Sequence, residues 1–172
     1  YGYDVMMAKK IADTLGYELE IVKLDWDSLV PAVQSGKVDC VIAGQSITSE
    51  RLQSVDFTEP YYYATIVTLV KSGSKYENAA SVADLAGATA TSQMNTIWYD
   101  NCLPQIQDAT IQPAQESAPA MLVALSSGRC DLVVTDKPTG QAALIAYPDF
   151  KLLDFTGTEG EFKVSDEDIN IG

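Results

Sequence analysis

Apolar residues recur at Val5, Ala8, Ile11, Ala12 and Leu15, the spacing of one helix face, and Gly16 follows where a helix would stop. This predicts an amphipathic helix over residues 4–15. The period then changes: Leu19, Ile21 and the run to Leu24 read as a strand, ended by Asp25-Trp-Asp27. Asp27 is placed to cap a helix that carries Pro31 in its first turn and ends near Gly36. A second apolar run, residues 38–43, reads as a buried strand that holds Cys40 and stops at Gly44. Polar side chains follow at once, Ser46, Thr48, Ser49 and Arg51, and residues 55–60 read as irregular.

Residues 64–70 are a β-branched run and predict a strand, and residues 71–78, with Gly73 and two serines, read as a crossing into a second half. There Ser81 caps a short helix that Gly87 ends, and residues 88–92 are a strand. Gln93-Met-Asn-Thr96 opens a helix reaching about Cys102. Backbone N–H groups and a hydroxyl at such an entrance suit an anion. Residues 110–112 are a short strand, Ser117 and Pro119 start a helix that runs to Gly128, and residues 131–135 are a strand. Pro138 lies in the first turn of a helix to Tyr147, and residues 150–155 predict an edge strand. From Thr156 onward the acidic, glycine-containing tail carries little signal.

One segment occurs twice. Ser35-Gly-Lys-Val-Asp-Cys-Val-Ile-Ala-Gly44 returns as Ser127-Gly-Arg-Cys-Asp-Leu-Val-Val-Thr-Asp136, each copy behind an apolar helical stretch containing a proline. The chain therefore predicts two similar helix-turn-strand units, one strand ending on Gly44 and the other on Asp136. Two lobes with a cleft between them is the economical arrangement. Ligands of parallel α/β sheets sit beyond the carboxyl ends of the strands, and an arginine there suits a carboxylate, which it can grip with two parallel hydrogen bonds. Ser46 to Arg51 also fit a plainer description, a strand followed by a solvated helix start with Thr48 as cap. Trp26, on the same rim as Gly44, fits either packing or a flat apolar wall for a ligand.

Composition narrows the chemistry. Eleven basic against 24 acidic residues leave a net charge of −13, which argues against nucleic acid and anionic membrane surfaces as partners. No apolar run approaches the roughly 20 residues of a membrane span. Histidine is absent and the three cysteines, at 40, 102 and 130, are widely separated. Neither a zinc site of ordinary spacing nor a Ser-His or Cys-His nucleophile can be assembled, and no cofactor or metal is expected. Carboxylate-only catalysis stays open, although no acidic pair is placed against a recognisable pocket.

With both units placed, the chain resembles the extracellular amino-acid-binding proteins of ABC importers, solute-binding family 3. The resemblance rests on Gly2-Tyr-Asp-Val, Asp25-Trp-Asp-Ser-Leu-Val-Pro, Ser35-Gly-Lys-Val-Asp, Ile47-Thr-Ser-Glu-Arg51, Val55-Asp-Phe-Thr-Glu-Pro-Tyr61, Leu85-Ala-Gly, and Ser127-Gly-Arg-Cys-Asp with Asp136. It implies an α/β, two-lobed, periplasmic-binding-protein-like (type II) fold with a hinge and a ligand cleft between the lobes, residues 1–68 forming the first lobe and 69–172 the second. It implies a free polar amino acid as ligand, delivered outside the cytoplasm to the membrane subunits of an ABC importer, and no catalysis. Carried over by position, Arg51 is the α-carboxylate ligand, assisted by Ser46 and Thr96. Asp136 is the α-ammonium partner beside the Gly44 carbonyl, Trp26 stacks on the ligand, and Gln93 selects the side chain. Asn95-Thr96 stands where the family has Gly-Thr, and asparagine tolerates the positive φ such a loop needs. A membrane-receptor sensor domain and a dehydratase-type enzyme are the alternatives on the same fold.

Two expectations concern the frame. The family's N-terminal strand and its C-terminal return into the first lobe are missing from these residues, so a longer protein is expected, with the first-lobe sheet left open at an edge. In the second lobe Cys102 closes a helix and Cys130 begins a strand running toward it. That arrangement predicts a Cys102–Cys130 disulfide, with Cys40 packed in its strand.

Overall fold

The computed structural model describes residues 2–172, apart from the side chains at 166 and 168. In chain order its elements are helices α1 (Tyr3–Leu15) and α2 (Leu29–Gln34), strands β1 (Tyr62–Tyr63), β2 (Ile66–Lys71), β3 (Thr89–Thr91) and β4 (Thr110–Ile111), helix α3 (Ala118–Ser126), strand β5 (Leu132–Asp136), helix α4 (Lys137–Ala146), strand β6 (Phe150–Leu153), helix α5 (Asp166–Ile169) and strand β7 (Asn170–Ile171). They fall into two units. One takes in the chain up to Tyr63 together with Asp166–Gly172, the other Ala64–Ser165. The division thus comes at Tyr63 rather than after residue 68, and the end of the chain groups with the first unit rather than the second.

In the first unit α1 ends as its sequence predicts, with Gly16 at φ 75° in the left-handed region that spares it a Cβ clash. A 3₁₀ turn, Trp26–Ser28, leads into α2. The strands expected over residues 19–24 and 38–43 are not formed. An apolar run becomes a strand only when a neighbour completes its ladder, and among the described residues neither run is assigned one. Leu19, Ile21, Val22 and Cys40 are exposed, while Leu24, Val38, Val41, Ile42 and Ala43 are half-buried. The ladder this unit does form joins β1 to β7, antiparallel, with Tyr62 opposite Ile171 and Tyr63 opposite Asn170, and Ser46 adds a bridge to Ile171. The tail, which carried no signal, is therefore a structural partner of the Ser46 loop.

The second unit is built on a five-stranded sheet in the order β4-β3-β5-β2-β6. β3 runs parallel to β4 and β5, whereas β2 is antiparallel to both β5 and β6. β2 and β5 are the apolar runs read from the sequence, and continuous burial suits strands with a neighbour on each side. Helices α3 and α4 cover one face, where Leu69, Met121, Leu125, Val133, Ala143 and Phe150 pack together. Ser117 caps α3 by accepting from the Ala120 N–H at 3.3 Å, and β6 lies at the edge, both as expected. The helix expected after Ser81 is a 3₁₀ turn, Val82–Leu85, and that leading to Cys102 is one π-helical turn, Trp98–Cys102. Pro104 follows directly and has no N–H to extend an α-helical ladder.

The internal repeat is real at its turn and fails at its strand. Ser35 Oγ donates to Ala32 O at 3.2 Å and Ser127 Oγ to Ala124 O at 3.1 Å, while Gly36 and Gly128 sit at φ 70° and 73°. The next amides repeat too, Lys37 N–H reaching Ala32 O and Arg129 N–H reaching Ala124 O. Only the second copy continues into a strand. The expected Cys102–Cys130 disulfide is not formed either: both side chains are buried as thiols. Cys130 is packed into the cluster beneath α3 and α4.

Candidate functional site

In the first unit the residues singled out by sequence gather on the segment from Gly44 to Arg51. Gly44 turns the chain at φ 66° and Ser46 is buried against Ile171. Thr48 Oγ1 accepts from the Arg51 N–H at 3.2 Å at the start of a 3₁₀ turn, Arg51–Gln53, whose capping position is Glu50 rather than the expected Thr48. The Arg51 side chain folds back over its own loop: Nη1 donates to Ser46 O at 3.0 Å, and Cζ lies 5.8 Å from the centre of the Trp26 ring. Burial lowers the guanidinium pKa from its ordinary value, partly offset by Glu50. Arg51, Ser46 and Trp26 thus form one group, the cation oriented by a carbonyl on one side and an aromatic face on the other.

Gly44 has a second neighbour that the sequence reading did not single out. Its N–H donates to the Tyr61 hydroxyl at 3.2 Å, which in turn donates to Asp4 Oδ1 at 3.3 Å, and the Tyr3 ring stacks on Tyr61 at 6.3 Å. Burial and the Asp4 carboxylate push the Tyr61 pKa up to about 12, so the hydroxyl is neutral and able to donate. The signal was present: Asp4 and Tyr61 lie in two of the motifs already noted, but nothing local in sequence joins them. Glu167 lies in the tail that carried little signal, and its carboxylate accepts from Ser49 N–H at 3.0 Å and Ser49 Oγ at 2.7 Å.

In the second unit Gln93, Thr96 and Asp136 lie at one end of the sheet, because β3 and β5 are parallel and each leads directly into its polar residues. Gln93 continues β3 as a bridge to Gln115. Asn95 takes φ 54°, the left-handed conformation expected of it, and Thr96 Oγ1 donates to Gln93 O at 2.7 Å, closing the loop. Asp136 caps α4, its Oδ1 accepting from Thr139 N–H at 2.7 Å. A carboxylate carries a second acceptor oxygen, so capping leaves Asp136 able to hold a cation as well. Among the described residues no cluster of metal-ligating side chains is present.

Residues 1–110 match the bacterial extracellular solute-binding proteins, family 3. The chain belongs to that family. It is 34% identical over 151 residues to a probable histidine-binding protein of Campylobacter jejuni, covering 86% of this chain and 56% of that one. To the arginine-binding extracellular protein ArtP of Bacillus subtilis it is 38% identical over 96 residues, 56% of this chain and 36% of the relative. Among solved structures, the L-arginine-bound amino acid ABC transporter substrate-binding protein AbpA of Streptococcus pneumoniae superposes with a TM-score of 0.83 at 29% identity, over 99% of this chain and 69% of that one. The family 3 chain therefore has the two-lobed α/β fold of the periplasmic binding proteins, and it spans about half the length of the curated relatives it matches. Those relatives are named as binding proteins, and no described helix of this chain is long and apolar enough to cross a membrane.

Proposed function

We propose that this chain is the ligand-holding part of an extracytoplasmic protein that binds a free polar amino acid and delivers it to the membrane subunits of an ABC importer, without transforming it. The observation that carries this reading is the Arg51 group: a half-buried guanidinium oriented by Ser46 O at 3.0 Å and by the Trp26 ring, the equipment for a carboxylate rather than for catalysis. In this assignment Arg51 takes the α-carboxylate with help from Ser46 and Thr96. Asp136 takes the α-ammonium with the Gly44 carbonyl, Trp26 covers the apolar stem, and Gln93 meets the side chain. Named relatives that bind arginine or histidine support an amino acid as ligand, and the family's extracellular character supports a place outside the cytoplasm.

The test is isothermal titration calorimetry of the intact protein against the twenty common amino acids, with Arg51→Ala and Asp136→Ala alongside. Binding of at least one amino acid, lost or greatly weakened in both variants, is the expected result. An amino acid bound equally well by Arg51→Ala, with unchanged circular dichroism, overturns the assignment of the site.

A further inference from the structure

The Arg51 loop is held partly by its own neighbours and partly from far along the chain. Its side chain hangs on Ser46 O and its N–H on Thr48 Oγ1, so the position of the guanidinium is set by residues 46–49. Those residues are fastened in addition to the segment 167–172. Ser46 bridges Ile171, Ile47 N–H donates to Asn170 O at 2.8 Å, and Gly172 N–H donates to Gln45 O at 3.2 Å. One side-chain clamp completes the set. Glu167, from α5, receives Ser49 N–H on Oε2 at 3.0 Å and Ser49 Oγ on Oε1 at 2.7 Å, so both carboxylate oxygens grip one residue across 118 positions of sequence.

We infer that Glu167 is a positioning residue for amino-acid binding: by clamping Ser49 it holds the loop that aims Arg51, and it touches no ligand itself. Backbone pairing at Ser46 and Ile47 fixes one side of the loop but ends before Ser49; the turn into Arg51 is closed by Thr48, which accepts from Arg51 N–H and Leu52 N–H, and the clamp adds the fastening of that turn to α5. A carboxylate accepts from both donors at once, one on each oxygen and with its full charge; an amide would accept from the N–H and could meet the hydroxyl only by donating to it, a neutral and weaker pair. The lowered pKa of Glu167, caused by these two hydrogen bonds, agrees with a carboxylate engaged at both oxygens. The inference rests on the assignment of Arg51 to the ligand carboxylate.

The experiment is calorimetry of the intact protein with L-arginine, L-histidine and L-glutamine as probes, on the wild type, Glu167→Ala, Glu167→Gln and Ser49→Ala. Glu167→Ala should weaken binding of whichever probe the wild type takes by about three- to tenfold, as loss of a solvent-exposed charged clamp would. Glu167→Gln should lie between the two, and Ser49→Ala should weaken binding less, since its N–H remains. In an Arg51→Lys background the Glu167→Ala loss should shrink, which a purely structural role would not produce. Glu159→Ala, removing an exposed carboxylate of the other unit, should bind as the wild type does. Equal affinity in Glu167→Ala and wild type, or an undiminished loss in the Arg51→Lys background, overturns the inference. Should Glu167→Ala fail to fold, Ser49→Ala and Glu167→Gln decide, and wild-type affinity in both overturns it. A wild type that binds none of the probes or any other amino acid defeats the proposed function instead, and the inference with it.

Discussion

The Arg51 guanidinium carbon lies 5.8 Å from the centre of the Trp26 ring, and Nη1 of the same group donates to Ser46 O at 3.0 Å. The ring therefore helps to orient the arginine, and under the proposed assignment its loss should reach the ligand in part through Arg51. Removing one member of a desolvated charge pair costs about 2–5 kcal/mol, which puts Arg51→Ala one to several orders of magnitude down in affinity. Trp26→Ala should lose less, about 0.5–2 kcal/mol, the range of a cation–π contact. Trp26→Phe should restore much of it, and Arg51→Lys should not, because an ammonium cannot reproduce the guanidinium fork. Calorimetric titration of the four variants with the protein's amino acid checks the order.

Thr68 occupies the centre of β2, fully buried, opposite Val134 on β5 and Leu153 on β6, and its Oγ1 has no hydrogen-bond partner among the described residues. A buried hydroxyl in that state costs more than it contributes. Thr68→Val keeps the branched shape and removes the orphaned oxygen, and should raise the unfolding free energy by about 1 kcal/mol. Urea denaturation with an unchanged slope is the measurement, and a destabilised Val variant would contradict it.

Gly140 lies inside α4, where alanine is ordinarily the better residue. Here a Cβ would stand 2.9 Å from Val67 Cγ2 and 3.0 Å from Leu152 Cδ1, both on the sheet beneath. Overpacking of that kind costs about 1–3 kcal/mol, more than the helical gain, so Gly140→Ala should lower the denaturation midpoint. Gly140→Ala combined with Leu152→Val should recover part of the loss by making room for the methyl.

The thiols should separate by reactivity. Cys40 is exposed, whereas burial, with a smaller push from Asp131 against a pull from Arg129, raises the Cys130 pKa to about 11. A raised folded pKa favours the protonated form, so Cys130 stabilises the fold below its ordinary value near 9.0 and loses that contribution as pH climbs toward 11. At pH 8 a thiol reagent should therefore label Cys40 quickly and leave Cys130 untouched until denaturant is added. Cys40→Ser should abolish the fast phase.

What the sequence made legible is what neighbouring residues decide among themselves. The stop of α1 at Gly16, the Ser117 cap and the buried runs of β2 and β5 follow from local spacing and side-chain chemistry, and the positive φ of Asn95 from the family resemblance that sets it where a glycine usually stands. The runs at 19–24 and 38–43 misled because an alternating or apolar pattern states only that a strand could be buried, not that a ladder partner stands beside it. Cys40 was misplaced for the same reason. Of the candidate site, the grouping of Arg51, Ser46 and Trp26 was legible through the motifs that carry them. The Tyr61–Asp4 link and the Glu167 clamp were not, since each joins segments whose meeting is decided by the fold as a whole.

The contact between Ser49 and Glu167 also sets an order of events at the ribosome. Ser49 emerges long before Glu167, and with 118 positions between them, synthesis at about 5–20 residues per second leaves a wait of roughly 6–24 s. The central strands β2 and β5 and their helices are all made within that interval. The second unit, which ends at Ser165, is therefore made before Glu167 is, and its sheet can form on the nascent chain while the Ser46–Ser49 loop still waits for its fastening.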